Sequence, residues 1–493
     1  MTTAPARVRR ATVSVAELAR ELAAADTVAD GLLAAPPLGA GPDEVARTAR
    51  GASHAPTGAR VGQPGAPGTV LLAGPPAAQG ADTLASHLAR WGSVAGDPVA
   101  TRAVLEESDI DGRGGGGFPL REKIRVACEA PGTPLLIVNA SESEPASAKD
   151  ATLCRLRPHL VLDGAALVAA VLGTDHAVVR FHDGAPGVAD ALRGAVAERE
   201  GGHGPVGAEP TWSLSAGPDR YVAGEASAVA SAVAGGLSRP LFTTGPLAVR
   251  GPSGRPTVVA NAETLAHLAV AARMGGRAWR DLGGAGDPGT RLVTLAGAVA
   301  APGSVLEVRA GATVGEILEA GGVHRPPAAV LVGGFAGTWA VGTAAWPARF
   351  SRSDLAGLGA APGCGLVAVL PEGACGLSET ARIAGYLAGE SAGQCGPCAH
   401  GLPRLASHLD ALVAGRLRRR GLRSAEALAD EILGGGACRH PDGVVRLVRS
   451  ALDVFAGDVE AHLGGRPCAG AAAAPVVAVP ARRIVDGREE AWR

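Results

Sequence analysis

Between Gly112 and Gly117 five of six residues are glycine, in the stretch Gly112-Arg113-Gly114-Gly115-Gly116-Gly117-Phe118-Pro119-Leu120-Arg121-Glu122-Lys123. A backbone without Cβ atoms lies flat against a planar or phosphorylated ligand and turns its N–H groups toward it. The stretch contains G-x-G-x-x-G at Gly112, Gly114 and Gly117. A dinucleotide fingerprint needs a strand before that pattern, and Thr101 to Ser108 reads as a helix, so the pattern alone is equally a tight turn. The next segment is more specific. A short apolar strand, Leu135 to Val138, runs into Asn139-Ala140-Ser141-Glu142-Ser143-Glu144-Pro145. Those hydrogen-bonding side chains fall at the C-terminal end of a strand, where open α/β sheets bind their ligands.

The 493 residues are enough for two to four domains, and a net charge of -1 argues against a nucleic-acid surface. No apolar run approaches the ~18 residues of a membrane helix, and Arg7, Arg9 and Arg10 lead into no apolar signal segment, so a cytoplasmic protein is expected. Residues 1–93 read as an N-terminal extension, partly disordered. It has one amphipathic stretch (Val15, Leu18, Leu22) and a Pro/Gly/Ala-rich linker from Ala34 to Pro67. From 94 to 285 apolar strands alternate with helical stretches, an α/β pattern. From 286 to 345 two short strands, Leu292 to Gly297 and Ser304 to Val308, join at Pro302-Gly303 and precede a helix (Val314 to Ala320) and a strand (Ala329 to Val332). Residues 346–470 become helical after Ser378, with core stripes at Leu402, Leu405, Leu409, Leu412 and at Val444, Leu447, Val448, Leu452. Residues 471–493 form a tail.

The glycine loop followed by Val138-Asn139-Ala140-Ser141-Glu142-Ser143-Glu144-Pro145 resembles the NADH-oxidising FMN flavoprotein subunit of respiratory complex I and its relatives in soluble hydrogenases and formate dehydrogenases. Further segments agree in order: Tyr221-Val222-Ala223-Gly224-Glu225, Pro256 to Leu265 (PTVVANAETL), and Glu390-Ser391-Ala392-Gly393-Gln394-Cys395-Gly396-Pro397-Cys398. The similarity runs from about Val94 to about Leu463. It implies a Rossmann-like FMN domain, a small ubiquitin-like β-grasp domain of the SLBB type, and a C-terminal helical bundle carrying an iron-sulfur site. It also implies electron transfer from NADH or NADPH through FMN to an iron-sulfur cluster. The electrons would pass on to a ferredoxin-like, quinone-linked or other redox subunit, with room for association with a membrane complex.

Carried over by position, the cofactor-binding residues are Gly112, Arg113, Gly114, Gly115, Gly117, Phe118, Lys123, Asn139, Glu142, Ser143, Glu144, Tyr221, Gly224, Glu225 and Asn261. Lys123 suits a phosphate as a point charge, and Asn139 and Asn261 carry donors and acceptors to match the edge of a flavin ring. Phe118 and Glu144 match positions near the nicotinamide nucleotide. No catalytic acid or base is nominated, because the cofactor supplies the chemistry. The chain departs from the family at Ala226, the second Glu of a Gly-Glu-Glu run, and at Ser141, an Asp. Its next loop offers either Thr243 and Pro246 or Arg239 and Phe242 for a Lys and a Phe. A carboxylate near the adenosine ribose repels a 2′-phosphate, so these changes leave NADH, NADPH, another donor and electron entry from a partner all open, and a non-catalytic assembly or binding subunit that keeps the fold is the rival reading.

Eight cysteines in so long a chain are too sparse for a disulfide scaffold. Cys395-x-x-Cys398 with Cys438 resembles the family's [4Fe-4S] site, whose first thiolate falls here on Ala392. A [3Fe-4S] cluster, a [4Fe-4S] cluster with another ligand, a zinc site completed by His400 or His440, and no metal all remain open. Cys364 and Cys375 are further candidates, a catalytic Cys-Gly-Pro-Cys dithiol is a rival reading, and Cys128, Cys154 and Cys468 read as ordinary thiols.

Overall fold

The computed structural model describes residues 61–62 and 69–493, except 201–203, 208, 243–244, 285, 310 and 482–488. The amphipathic stretch at Val15, Leu18 and Leu22, most of the Ala34 to Pro67 linker, and Thr243 lie outside the described residues. Ten strands are described: β1 Val61–Gly62, β2 Leu135–Asn139, β3 His176–His182, β4 Thr211–Gly217, β5 Thr257–Asn261, β6 Thr290–Gly297, β7 Val305–Arg309, β8 Ala329–Val332, β9 Thr338–Val341 and β10 Leu366–Leu370.

The first sheet is parallel, in the order β4-β3-β2-β5. Parallel strands carry helices on their faces, so their apolar runs are continuous, and Leu136, Ile137 and Val138 are all fully buried. Helices Pro158–Leu172 and Ala262–Met274 approach so closely that a Cβ on Gly164 would lie 1.9 Å from the Leu265 carbonyl oxygen, which only glycine permits. From β2 the chain steps outward to β3 and β4, while β5 pairs on the other side of β2. The winding therefore reverses between β2 and β5. In register, Asn139 stands beside Asn261 at the C-terminal ends of those strands, the place where doubly wound sheets take a ligand.

The second sheet runs β1-β7-β6-β10-β8-β9, with β6 and β10 parallel. Strands β6 and β7 are antiparallel and are joined by the turn at Pro302-Gly303, where Gly303 takes φ +88°. The helix Val314–Ala320 starts on a reciprocal cap between Thr313 and Glu316. The division expected at 345/346 cuts through this sheet, because β10 inserts between β6 and β8. Flanked on both edges and covered on both faces, β10 shows no alternation that would mark it as a strand: all five of its residues are buried.

Helices Gly376–Gly389, Leu402–Val413, Arg419–Ile432, His440–Val454 and Ala456–Leu463 form the rest. Leu402, Leu405, Leu409 and Leu412 are buried along one face, as their spacing predicts. No helix among the described residues is long and apolar enough to cross a membrane.

The segment before residue 93 is not separable where it is described. Leu71 and Leu72 are fully buried, and the Glu307 carboxylate accepts from the amides of Val70, Leu71 and Leu72 at 2.8–3.1 Å. At the other end, Trp492 is fully buried, with the Arg220 and Arg239 guanidinium groups 4.5 and 5.3 Å from its ring. Arg239, one of the two alternatives for a nucleotide-contacting cation, is thus held against the C-terminal segment.

Candidate cofactor site

The glycine loop is a closed neck. The Gly112 amide donates to the Phe118 carbonyl at 3.0 Å, and Asp111 bridges to Pro119. Inside the neck Gly115 and Gly117 take φ +105° and +62°, a region that side chains disfavour, and Gly116 faces open space. A Cβ on Gly114 would stand 3.3 Å from the Asn261 side chain, so the loop lies directly against the β5 end.

Arg113 does not point where the family correspondence puts it. Its side chain is buried, pairs with Asp111 at 2.5 Å and donates to the Pro288 carbonyl at 2.7 Å, while its amide donates to Thr264 Oγ1 at 2.8 Å. Asp111 also pairs with Arg291 and Arg352, each at 2.9 Å. Burial pushes its carboxyl up, but Arg113, Arg291 and Arg352 outweigh that and hold it well below the usual carboxylate range. Arg113 is the loop's anchor, leaving only its backbone for a ligand. Arg352 lies over the loop, and a Cβ on Gly117 would stand 1.4 Å from its Nη2. Phe118 is half-buried and packs against the core of the parallel-sheet unit.

Beneath the loop, Asn139 donates through Nδ2 to the Gly224 carbonyl at 3.0 Å and accepts from the Ser141 amide at 3.1 Å. Gly224 touches Ser143 so closely that a Cβ would lie 1.7 Å from the hydroxyl. Asn261 caps the helix that follows it, accepting from the Glu263 amide at 3.1 Å, and donates to Asp150 at 2.7 Å. Glu225 caps Ala226–Val233, accepting from Ser227 and Ala228 at 2.8 and 3.1 Å. Lys123 is half-buried in the first turn of Leu120–Glu129, with Nζ 3.5 Å from the Val259 carbonyl. A helix N-terminus that also carries a lysine favours a phosphate group. A Cβ-free loop, two adjacent carboxamides and this phosphate-compatible turn fit a flavin mononucleotide.

Glu142, Glu144 and Tyr221 lie deeper. Glu142 is buried and accepts from Ser147 and from the Ala151 amide; burial, then the nearby Asp150, push its carboxyl up to about 7. Glu144 is 1% exposed and accepts from the Phe335 amide at 2.9 Å, and burial pushes it up to about 8. Both are buried between the two sheets, and Glu144 Oε1 has no hydrogen-bond partner among the described residues. Tyr221 is fully buried in the core of the helical unit, its ring centroid 5.0 Å from His440 and 6.4 Å from Tyr386. Sequence position cannot report that direction, because Tyr221 follows a loop rather than a strand with a fixed pleat.

Cys395, Cys398 and Cys438 are brought together near the turn Pro397–Gly401. The Cys398 thiol donates to the Cys395 sulfur, which with the Ala437 amide holds Cys395 down at about 5. Cys398 is shifted the opposite way, and burial, then the Glu225 carboxylate, push Cys438 up to about 12. Ala392 is buried and offers no ligand. His400 is exposed, and His440 has Nε2 bonded to the Leu387 carbonyl at 2.9 Å. Among the described residues, the three-ligand group with all atoms within 4.8 Å is Cys375, His462 and Cys468, not this trio. Cys364 donates to the Gly333 carbonyl at 3.3 Å; Cys154 is buried and Cys128 exposed.

The family model of the Nuo51 FMN-binding domain matches residues 105–270, and that of the NADH-ubiquinone oxidoreductase-F iron-sulfur binding region matches residues 378–462. The F subunit of NADH-quinone oxidoreductase from Streptomyces coelicolor is 30% identical over 381 residues, covering 74% of this chain and 83% of that protein. The chain belongs to the family of NADH-quinone oxidoreductase F subunits. The F 2 subunit of NADH-quinone oxidoreductase from Rhizobium meliloti is 30% identical over 376 residues, covering 74% of this chain and 89% of that one. The solved structure of NAD+-reducing [NiFe]-hydrogenase in the H2-reduced state superposes with a TM-score of 0.69 at 28% identity. That match covers 74% of this chain and 63% of the hydrogenase chain.

In this member of the F-subunit family, sequence reasoning missed the charged groups behind Asn261. Lys149 Nζ lies 2.8 Å from Asp150 and 2.9 Å from Glu263, all three buried. Burial opposes the Lys149 charge, but Asp150, Glu263 and Glu142 raise its pKa above the ordinary value; Glu263 is held down at about 2, burial notwithstanding, chiefly by Lys149. The signal was the Lys149-Asp150 pair shortly after Glu144, a charged pair in an otherwise apolar region. For Arg352 there was none, since it reaches the loop from far beyond Gly117 in the chain.

Proposed function

We propose that this chain is the electron-entry subunit of an oxidoreductase, taking electrons from NADH through FMN to an iron-sulfur cluster. The single observation that carries the reading is the pairing of Asn139 with Asn261 at the reversal point of the parallel sheet, directly under the glycine loop. The backbone of residues 112–117, with Lys123, Asn139, Ser143, Gly224 and Asn261, would hold FMN. When bound, FMN supplies two-electron acceptance and one-electron release.

The chain's own part is positional. Asn139 and Asn261 are held at both ends of their carboxamides, by Gly224 and the Ser141 amide and by Asp150 and the Glu263 amide, so their orientation is set before a ring edge approaches the remaining donor and acceptor positions. Arg352, paired with Asp111, lies against Gly117 and, with the positive-φ glycines, fixes the shape of the loop. Cys395, Cys398 and Cys438 would hold the cluster through three thiolates. Glu225 supports this adjacency: it caps the helix behind the loop and also influences Cys438. We assign the second sheet as the ubiquitin-like SLBB-type unit and the helices from Gly376 to Leu463 as the iron-sulfur-binding unit. The acceptor would be a ferredoxin-like or other redox subunit of a multi-subunit assembly on the cytoplasmic side.

The deciding test is an anaerobic visible spectrum of the full-length protein before and after NADH and then NADPH, with flavin and iron assayed on the same sample. NADH should bleach the flavin band at lower concentration than NADPH. A bound flavin reduced by neither nucleotide would overturn the donor assignment. Flavin content unchanged in Asn139→Asp, in Lys123→Ala and in the double variant would overturn the FMN site.

A further inference from the structure

We propose that Cys375, His462 and Cys468 form a second metal centre, a tetrahedral thiolate and imidazole site for a zinc ion, separate from the trio at Cys395, Cys398 and Cys438. Their ligand atoms all lie within 4.8 Å of one another, and Cys375 Sγ is 3.9 Å from His462 Nε2. Zinc binds sulfur at ~2.3 Å and nitrogen at ~2.0–2.1 Å, so tetrahedral ligands stand roughly 3.5–3.8 Å apart, and only a small contraction is needed.

The histidine is oriented for this. His462 is fully buried, and its Nδ1 faces the Leu412 and Val413 carbonyl oxygens at 3.2 and 3.1 Å. Carbonyls only accept, so Nδ1 carries the proton and Nε2 the lone pair. A backbone carbonyl on the far ring nitrogen is the arrangement that fixes the tautomer of a metal-binding histidine. That lone pair is now met by the Cys468 amide at 3.1 Å, on the same residue whose sulfur completes the group. A metal would take the amide's place.

Two thiolates and a neutral imidazole cancel the charge of a divalent ion, which a buried site requires, and the sulfur-nitrogen donor set selects zinc over magnesium or calcium. Cys375 sits at the N-terminus of Gly376–Gly389 and accepts from the Ser378 amide at 3.3 Å, a contact that favours its thiolate. A thiol binds a metal as its thiolate, so the ion must displace a proton from each cysteine as it binds. Cys468 borders an open cleft of about 480 Å³ lined also by Ser378, Arg382 and Asp410.

The ligands come from three separate segments. The site therefore ties the chain beyond residue 464 to the start and end of the helical unit. The same strap continues where Glu379 accepts from the Val476 and Val477 amides at 2.9 and 3.2 Å.

Zinc and iron per chain would be measured by mass spectrometry of metals on wild type, Cys375→Ser, His462→Gln, Cys468→Ser and Cys395→Ser, each purified full length from cells supplied with both metals. Wild type should hold zinc at one ion per chain. The first three variants should lose it while keeping iron, and Cys395→Ser should lose iron while keeping zinc. Absence of zinc from wild type, or zinc that disappears with Cys395 and not with Cys375, overturns the proposal. Wild type alone gives a second reading should the variants fold poorly. Cys375 and Cys468 should resist alkylation until a chelator is added, whereas a disulfide-linked 375–468 peptide would refute the site.

Discussion

Replacing Lys149 with methionine keeps the side-chain length and removes one buried charge. Lys149 is 1% exposed and lies between Asp150 at 2.8 Å and Glu263 at 2.9 Å, with Glu142 also contributing to its field. Without the ammonium, three buried carboxyls face one another. Breaking a buried pair by removing one partner costs about 3–5 kcal/mol. At roughly 2–4 °C per kcal/mol for a unit of 150–250 residues, the melting transition should fall by roughly 6–20 °C. The deficit must also depend on pH. Glu142 is already pushed up to about 7 in the native state, so the folded chain holds a proton that the unfolded chain releases near its ordinary value of 4.5. Its contribution to stability is fully present below 4.5 and is lost as pH rises through 7. Losing Lys149 moves this window upward, so the variant should lag wild type most at pH 8 and least at pH 6. Adding Asp150→Asn should recover part of the loss. Calorimetric melting of the three proteins at pH 6, 7 and 8 decides the matter. A drop under about 2 °C with no pH trend would refute the idea that this lysine balances the cluster behind Asn261.

Glu144 is pushed up to about 8, so its contribution is complete below 4.5 and disappears as pH rises through 8. Glu144→Gln should melt above wild type at pH 9 and close to it at pH 5; parallel curves would remove Glu144 as the titrating group. Gly117→Ala places a methyl where Arg352 lies and forces φ +62° on a residue with a side chain, at ~1–2 kcal/mol for the backbone. Flavin fluorescence titration should show weaker binding, only partly restored by Arg352→Ala, and an unchanged dissociation constant would show the loop does not touch the flavin. Ala392→Cys supplies a fourth thiolate beside the trio and should raise iron per chain or the cluster's resistance to chelators; no change in either would mean Ala392 does not face the cluster.

The two asparagines were visible as separate motifs, but that they are neighbours follows only from β5 pairing with β2 across the intervening β3, β4 and their helices. The glycine run was legible because absence of a Cβ is a property of the residue itself. Which way a side chain turns is not. Arg113 and Glu144 carry charges that suit a ligand, yet both meet partners far along the chain or packed beside it: Pro288 and Asp111 for one, the Phe335 amide on Oε2 for the other. Cys468 read as an ordinary thiol because His462, six residues before it, forms no recognised ligand motif with it and Cys375 is far away in the chain, and β10 escaped because a strand buried on both faces shows no period.

The sequence by itself determined the family, the parallel-sheet unit with its glycine loop, the stripes of the helical unit, and the Cys395-x-x-Cys398 pair as a motif. These depend on local chemistry: missing Cβ atoms, apolar period, and short ligand spacing. Tertiary structure alone decided that Lys149 and Asp150 hold Asn261, that Arg352 covers the loop, and that Cys375, His462 and Cys468 converge. Each of those contacts joins side chains whose positions are set by packing, and burial makes their charges and lone pairs strong enough to matter.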